Sequence, residues 1–557
     1  MPRFPTVLVI ATLTATAVAQ TTTRDSLSSA GAQDPNFGSS SPVLSQDGRY
    51  VAFTSASPTL VPGDTNNTVD IFVRDRVTGQ TTRVSTSSAG AQANGNSSDP
   101  DISADGRFVV FTSSASNLIA GDTNNTTDIF CHDRQTATTT RVSVGSGGVQ
   151  VTLRSDTGSI SADGRYVAFA SPDNNIVPGD NCVYDDIFCH DRQTGVTSLV
   201  SISNTIGQTF TPRANPEISD DGNSIAFDSA ALDLVSNDTN GCSDVFVWSR
   251  FTNSISRTSL GNGGVEGNHI SLEASISADG RFVAFTSYAY NFVPGDNSNP
   301  DVFVKDRQTG QLTWCSAGLG GAIGNQLSQT PSISGDGRFV VFWSAASNLV
   351  LGDTNNAWDV FSFDRATNTT ARASVSSTGA QATGFSDYER ISPDGRCIAF
   401  QGRAANLVVP DANGNTQDVY VRDRGTTASI AFYGAGCPGT GLLVPSIGNV
   451  GWPLVGNSAF GVGVGNALPS SLAVVFWNTS AVNVPFSGCD LLVAAPSNTQ
   501  PVVALDATGA GVAPAPIPND PTLANLDVFF QGFVLDPNGP FLNLGALSNG
   551  LAARIGN

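Results

Sequence analysis

Residues 100–144, "PDISADGRFVVFTSSASNLIAGDTNNTTDIFCHDRQTATTTRVSV", carry the reading that decides the fold. "PDIS" makes a short strand, A, and Asp105-Gly106 makes a tight hairpin turn, because both residue types tolerate positive φ. "RFVVFTSSA" follows as strand B. A polar loop leads to "DIFCHDR" as strand C, and "TTTRVSV" completes the unit as strand D. Val, Ile, Phe and Thr suit strands, and no stretch shows helical periodicity.

The unit recurs. Asp-Gly-Arg stands two residues after a Ser at Asp47, Asp105, Asp163, Asp279, Asp336 and Asp394, with a degenerate copy, "SDDGNSIAF", at Asp221. Successive copies are 58 residues apart, or 57 between Asp279 and Asp336. Seven repeats of four strands predict an all-β fold, a seven-bladed propeller. "TTTRDSLSSAGAQDPN" at residues 21–36 matches the strand D and exit loop of later repeats, so the amino-terminal strand is expected to complete the last blade and close the ring.

Ser-x-Asp-Gly-Arg followed by a Val-Ala-Phe-type strand resembles the PD40 or TolB-type WD40-like propeller repeat over roughly 400 residues. The resemblance implies the fold and leaves function open, because such propellers host scaffolds, binders and enzymes alike. The α/β domain preceding the TolB propeller has no counterpart here, so no Tol-system role carries over.

The flanks complete the division. Residues 1–19 place one Arg before an apolar stretch ending in Ala-Val-Ala, which reads as a secretory signal peptide. The propeller is assigned to 20–428 and a β-sandwich-like domain to 429–557, where the period stops and Gly and Pro rise. "YGAGCPGTG" and "LSNGLAARIGN" in that domain resemble a carboxy-terminal domain of some secreted bacterial proteins, a resemblance that implies no activity. The chain is expected to be secreted, periplasmic or cell-surface, a monomer, and without a transmembrane segment. Its formal charge of −20 excludes a nucleic-acid partner. The acidity is mostly Asp, which suits turns and hard-cation sites.

Comparing copies within one chain sorts structural from functional residues. Arg49 opens strand B and Asp75 ends strand C, so an antiparallel pair would join them. The same pairing links Arg107 to Asp133, Arg165 to Asp191, Arg281 to Asp306, Arg338 to Asp364 and Arg396 to Asp423. The fourth repeat loses both partners at once, to Asn223 and Ser249. His132 and His190 share a slot with Arg74, Trp248, Lys305, Phe363 and Arg422, too permissive for a catalytic or metal-binding role. Cys131 and Cys189 occupy a Val slot and read as buried thiols. Cys182 and Cys242 lie in adjacent loops and could bridge. Cys437 and Cys489 are the expected disulfide.

The B–C loop poses the functional question. Asp64, Asn66 and Asp70 stand at positions 1, 3 and 7, as in the opening of a calcium loop. The pattern recurs as Asp122, Asn124, Asp128; Asp238, Asn240, Asp244; and Asp353, Asn355, Asp359. So few ligands would hold calcium weakly, at about 10⁻⁴–10⁻³ M. The alternative is an Asx turn into a strand. Acids at both ends favour calcium, since like charges repel unless a cation lies between them.

The expected function is therefore a non-enzymatic binding or scaffold propeller, stiffened by calcium in its B–C loops and recognising a protein or cell-surface glycan. B–C loops and D–A connections would share the binding face. The alternative is an extracellular carbohydrate-active enzyme or glycan-binding protein using the propeller pore. Its candidate acids are those outside the repeat pattern, Glu217, Glu266, Glu273 and Glu389.

Overall fold

The computed structural model describes residues 20–425 except 181–183 and 202–214, and discontinuous stretches between 429 and 554. Residues 1–19, Cys182 and the Cys489 side chain lie outside the described residues. Thr21–Asp423 forms one compact unit.

Within that unit the described residues build seven four-stranded antiparallel sheets in an all-β propeller architecture. Among the described residues helix is confined to two short 3-10 turns, Asn262–Gly264 and Leu319–Gly321. In the second repeat strand A is Ser97–Ile102, B Phe108–Ser113, C Asp128–Asp133 and D Thr138–Arg141. Strand A thus begins three residues before the predicted "PDIS". A bulge between Ser98 and Asp101, with Asp99 at φ 49°, interrupts the alternation that would have revealed it.

Strand A of each sheet packs against strand A of its neighbours and so lines the central channel. The gaps between sheets fill with apolar residues from both sides, including the gap between the seventh sheet and the first, where Cys397, Ala399 and Val421 meet Leu44, Val51 and Phe53. Thr21–Arg24 pairs with strand C of the last repeat, Thr21 opposite Asp423 and Arg24 opposite Tyr420. This is the register of Arg83 opposite Phe72 in the first sheet. The amino-terminal strand therefore supplies the missing strand D.

A second ring explains the repeated Ser-x-Asp-Gly-Arg. In most turns the N–H of the x residue donates to the x carbonyl of the next turn: Gln46 to Ala104 at 3.0 Å, Ala104 to Ala162 at 3.0 Å, and Ala162 to Asp220 at 3.0 Å, while in the fourth turn the residue after x, Asp221, donates to Ala278 at 3.1 Å. Ala278 to Gly335 at 2.9 Å and Gly335 to Pro393 at 2.8 Å continue it. Pro393 has no N–H, and Asp394 donates instead to Gln46 at 3.2 Å, closing the circle. The aspartate locks each turn by accepting from its Ser hydroxyl and from the Arg backbone, as Asp105 does from Ser103 and Arg107. The A–B turns thus form a narrow collar at one end of the channel.

All six Arg–Asp pairs form with two contacts each, for example Arg107 Nε and Nη2 to Asp133 at 2.9 and 2.7 Å. In the fourth repeat Arg250 donates to Asn223 instead. Because the Arg107 side chain is 38% exposed, so that water can partly take its place, Arg107→Ala is expected to cost less thermal stability than Arg83→Ala. A melting curve compared with that of Arg83→Ala, discussed below, checks this ranking.

From Arg424 onward, the described residues form a six-stranded, a three-stranded and a two-stranded sheet. One apolar core takes Ile447, Val462 and Val464 from the three-stranded sheet and Val475, Phe530 and Leu551 from the six-stranded sheet. Cys437 is buried and disulfide-bonded. Cys242 is a free thiol, and Cys182, the partner weighed for it, lies outside the described residues. No helix among the described residues is long and apolar enough to cross a membrane.

Candidate functional site

The acidic loops answer the calcium question with a side chain. The arginine of strand D reaches between the two aspartates of its own sheet. Arg83 Nη1 lies 2.9 Å from Asp64 and 3.4 Å from Asp70. Arg141 lies 3.3 Å from both Asp122 and Asp128, and Arg257 lies 3.1 and 3.2 Å from Asp238 and Asp244. Arg372 approaches Asp353 at 3.3 Å and Asp359 at 3.6 Å. In the last sheet the amino-terminal strand provides Arg24, 3.4 Å from Asp411 and 3.2 Å from Asp418.

The asparagines are donors. Asn66 Nδ2 gives one hydrogen to Asp70 at 2.8 Å and one to the Ala93 carbonyl at 3.0 Å, tying the loop to the next D–A connection. Both neighbours are acceptors, which fixes the amide orientation. Asn124, Asn240 and Asn355 bond Asp128, Asp244 and Asp359 in the same way. Ser85 donates to the other oxygen of Asp70 at 2.5 Å. These twelve residues do not fit a calcium ion, because a guanidinium fills the place between the carboxylates and the asparagines offer N–H rather than oxygen. In five of the seven repeats the cation that lies between the paired acids is an arginine of the protein itself. Repeats three and five carry Leu199 and Trp314 at the arginine position although both aspartates remain there, as Asp180 and Asp186 and as Asp296 and Asp301, so the clamp is built in five of the seven repeats.

The histidine and thiol slots are structural. His132 Nδ1 meets Thr139 Oγ1 at 2.9 Å, and burial pushes the ring down to about 4. Lys305 in the same slot donates to the Leu260 carbonyl at 2.7 Å, so the slot staples the preceding exit loop. Burial pushes Cys131 and Cys189 up to about 12, leaving them inert as thiolates.

The four non-repeating glutamates divide. Glu266 belongs to the fourth clamp, 2.6 Å from Arg257, at the position of Gln92 and Gln381. The other three lie on strand A around the channel. Glu217 Oε1 accepts from Ser275 Oγ at 2.8 Å and from the Ile276 N–H at 3.2 Å. Asp101, Ser159, Ser275 and Ser332 at the equivalent position each accept from the corresponding N–H of the next sheet, for example Ile160 to Asp101 at 2.8 Å. Glu273 Oε2 accepts from Thr286 Oγ1 at 2.8 Å and the Thr330 N–H at 3.0 Å. Glu389 Oε1 accepts from Thr330 Oγ1 at 3.0 Å and the Trp343 N–H at 3.1 Å. Glu273 and Glu389 thus flank one threonine. Glu389 is 0% exposed, its Oε2 has no partner among the described residues, and burial pushes the acid up to about 8.

Beside Glu389 is a group of residues that the sequence reading passed over. Trp343 stacks on Trp358 with ring centres 4.7 Å apart, and Trp358 meets Phe385 at 5.3 Å. Trp358, Phe385 and Tyr388 are 40%, 48% and 58% exposed. Trp358 ends the sixth B–C loop and Phe385 ends the following D–A connection, so the rings lie on the loop face, at the channel mouth opposite the collar. The register shows how far they depart from the repeat. Trp343 replaces Thr54, Thr112, Ala170, Asp228, Thr286 and Gln401, and Trp358 replaces Val69, Thr127, Asp185, Ser243, Pro300 and Gln417. Glu389 stands where other repeats have Pro42, Pro100, Gly158, Pro216, Ala274 and Pro331. Breaks in the repeat were the available signal; it had been applied to the acids and not to the aromatic residues.

No protein-family model matches the chain, and no curated protein matches it. Similar solved structures include an oligogalacturonate lyase in complex with manganese, 14% identical over 73% of this chain and 94% of that one, with a TM-score of 0.42. A TolB-like protein from Agrobacterium tumefaciens is 15% identical over 62% and 94%, at 0.33. A puromycin-hydrolysing peptidase of Mycobacterium tuberculosis is 12% identical over 81% and 61%, at 0.40. The chain is similar to propeller proteins that include enzymes and a TolB-like protein. These likenesses concern the fold alone.

Proposed function

We propose that the chain is an exported, non-enzymatic binding module whose recognition surface lies at the open channel mouth, where the sixth and seventh sheets break the repeat. The observation carrying this reading is the exposed Trp358–Phe385–Tyr388 group, built on positions that are small or polar in most other repeats. Exposed aromatic clusters rimmed by polar groups mark interaction sites. Five of the seven acidic loops are occupied by their own arginines and act as struts. Glu217, Glu273 and Glu389 accept backbone N–H groups of neighbouring sheets, which supports a framework role over a catalytic pair. Export rests on the leader sequence.

Immobilised full-length protein and a Trp358→Ala/Phe385→Ala variant, exposed to native exoprotein and cell-wall material with and without chelator, test the reading. Capture is expected to depend on the aromatic residues and to be indifferent to chelator. Equal capture by both proteins would contradict it.

A further inference from the structure

We infer that the shelf formed by Trp343, Trp358, Phe385 and Tyr388 binds a neutral saccharide. The inference rests on the binding-module reading and names its ligand class. Trp343, Trp358 and Phe385 touch in sequence at 4.7 and 5.3 Å with their planes tilted by 32° and 58°, so they make a stepped aromatic surface, with exposed Tyr388 on the neighbouring strand, and leave no gap between them to enclose an ammonium group. Such a surface suits a ligand with a flat apolar face, and the C–H face of a pyranose ring is one.

A saccharide also needs hydrogen-bonding groups at the edge of that surface, and the shelf has them. Strand A of the sixth sheet pairs Gln329 with Trp343, and strand A of the seventh pairs Asp387 with Gln401. Gln401 donates to Asp387 at 2.8 Å, and Gln329 donates to Tyr288 at 2.5 Å. Gln401 is buried and holds the Asp387 carboxylate in place, so the half-buried Asp387 and Gln329 offer an acceptor and an amide at fixed positions, as vicinal hydroxyls require. The formal charge of −20 disfavours anionic sugars and phosphorylated ligands.

Glu389 holds the shelf together as a positioning residue. Its carboxyl accepts the Trp343 N–H and the Thr330 hydroxyl, joining the bulge that carries Tyr388 to the sixth sheet. Tyr388 sits in that bulge at φ 50°, a left-handed conformation that turns its side chain out of the strand's normal alternation.

Native affinity electrophoresis of the full chain in gels cast with hydroxyethylcellulose, galactomannan or dextran tests the inference. At least one neutral polymer is expected to retard the protein. Trp358→Ala should weaken that retardation about ten-fold, a loss of about 1.4 kcal/mol. Phe251→Ala, a change at a fully exposed ring in the fourth repeat, should leave it unchanged. Phe385→Ala provides a second reading if Trp358→Ala melts early. No retardation by any of the three polymers, or retardation that survives both shelf variants, overturns the saccharide assignment. Shelf-dependent capture from native material would then leave the binding module standing with another ligand. Loss of that capture as well would remove both readings. Quenching of tryptophan fluorescence by tetramethylammonium in place of any polymer would assign the shelf to a cation and likewise overturn the inference.

Discussion

Arg83→Ala is expected to destabilise the protein by about 3–5 kcal/mol at neutral pH, because it strands two buried carboxylates without their cation. The Asp64 and Asp70 side chains are 6% and 0% exposed, so water cannot take over from the guanidinium. The same substitution at Arg24 removes more: Arg24 also donates to the Val408 and Pro410 carbonyls, both at 3.0 Å, and sits on the strand that completes the last sheet. Burial already holds Asp70 above the usual carboxylate range, so the penalty at Arg83 should shrink toward pH 4 as the acids take up protons. Asp64→Asn in the Arg83→Ala background should recover part of the loss. Urea denaturation of the four proteins at pH 4.5 and 7.5 checks both statements, and a full-strength loss at both pH values would contradict the clamp.

The second large effect is an acid-shifted stability optimum. Glu389 is pushed up to about 8, Asp220, Asp228 and Asp336 to about 7, and Asp301 to about 6, in each case chiefly by burial. The folded chain keeps protons that the unfolded chain releases near pH 4. The stability from these groups is therefore complete below their unfolded values and is lost as pH rises through 6 to 8. Asp191 and Asp306, held down at about 2, act in the opposite direction, and their contribution is lost as pH falls below about 4. Stability should peak near pH 4–5 and decline toward pH 8. Glu389→Gln keeps the shape without the proton linkage and should flatten the alkaline limb, by on the order of a few kcal/mol at pH 8. Melting curves from pH 4 to 9 read this directly, and stability rising from pH 5 to 8 in the unaltered protein would contradict it.

The sheet order was legible because the repeat supplies its own controls. Six copies of Asp-Gly-Arg and a degenerate seventh revealed the turns, and paired losses at Asn223 and Ser249 revealed the Arg–Asp bridges. The acidic loops were seen, but the arginines that reach them were not. Arg83 lies thirteen residues beyond Asp70, on the next strand, and only the register of strands C and D brings its head between Asp64 and Asp70. Spacing within the loop could show the need for a cation but could not show its source. The shelf was hidden for a similar reason. Trp343 and Trp358 lie fifteen residues apart on a strand and a loop of the sixth repeat, and Phe385 joins them from the connection to the seventh, so the contacts appear only once the strands are paired. Among the glutamates, strand A places three around the channel, whereas Glu266 falls in a clamp. No composition argument distinguishes these positions.

The central claim is that the acidic loops are closed by arginine, leaving recognition to the mouth of the channel. Scanning calorimetry of the full-length protein in chelator and in millimolar calcium tests it most directly. The account predicts superimposable transitions, because each guanidinium already neutralises the acids that calcium would have to bind. A rise of several degrees with calcium, reduced by Asp64→Ala, would show that a metal displaces the arginines and would contradict it.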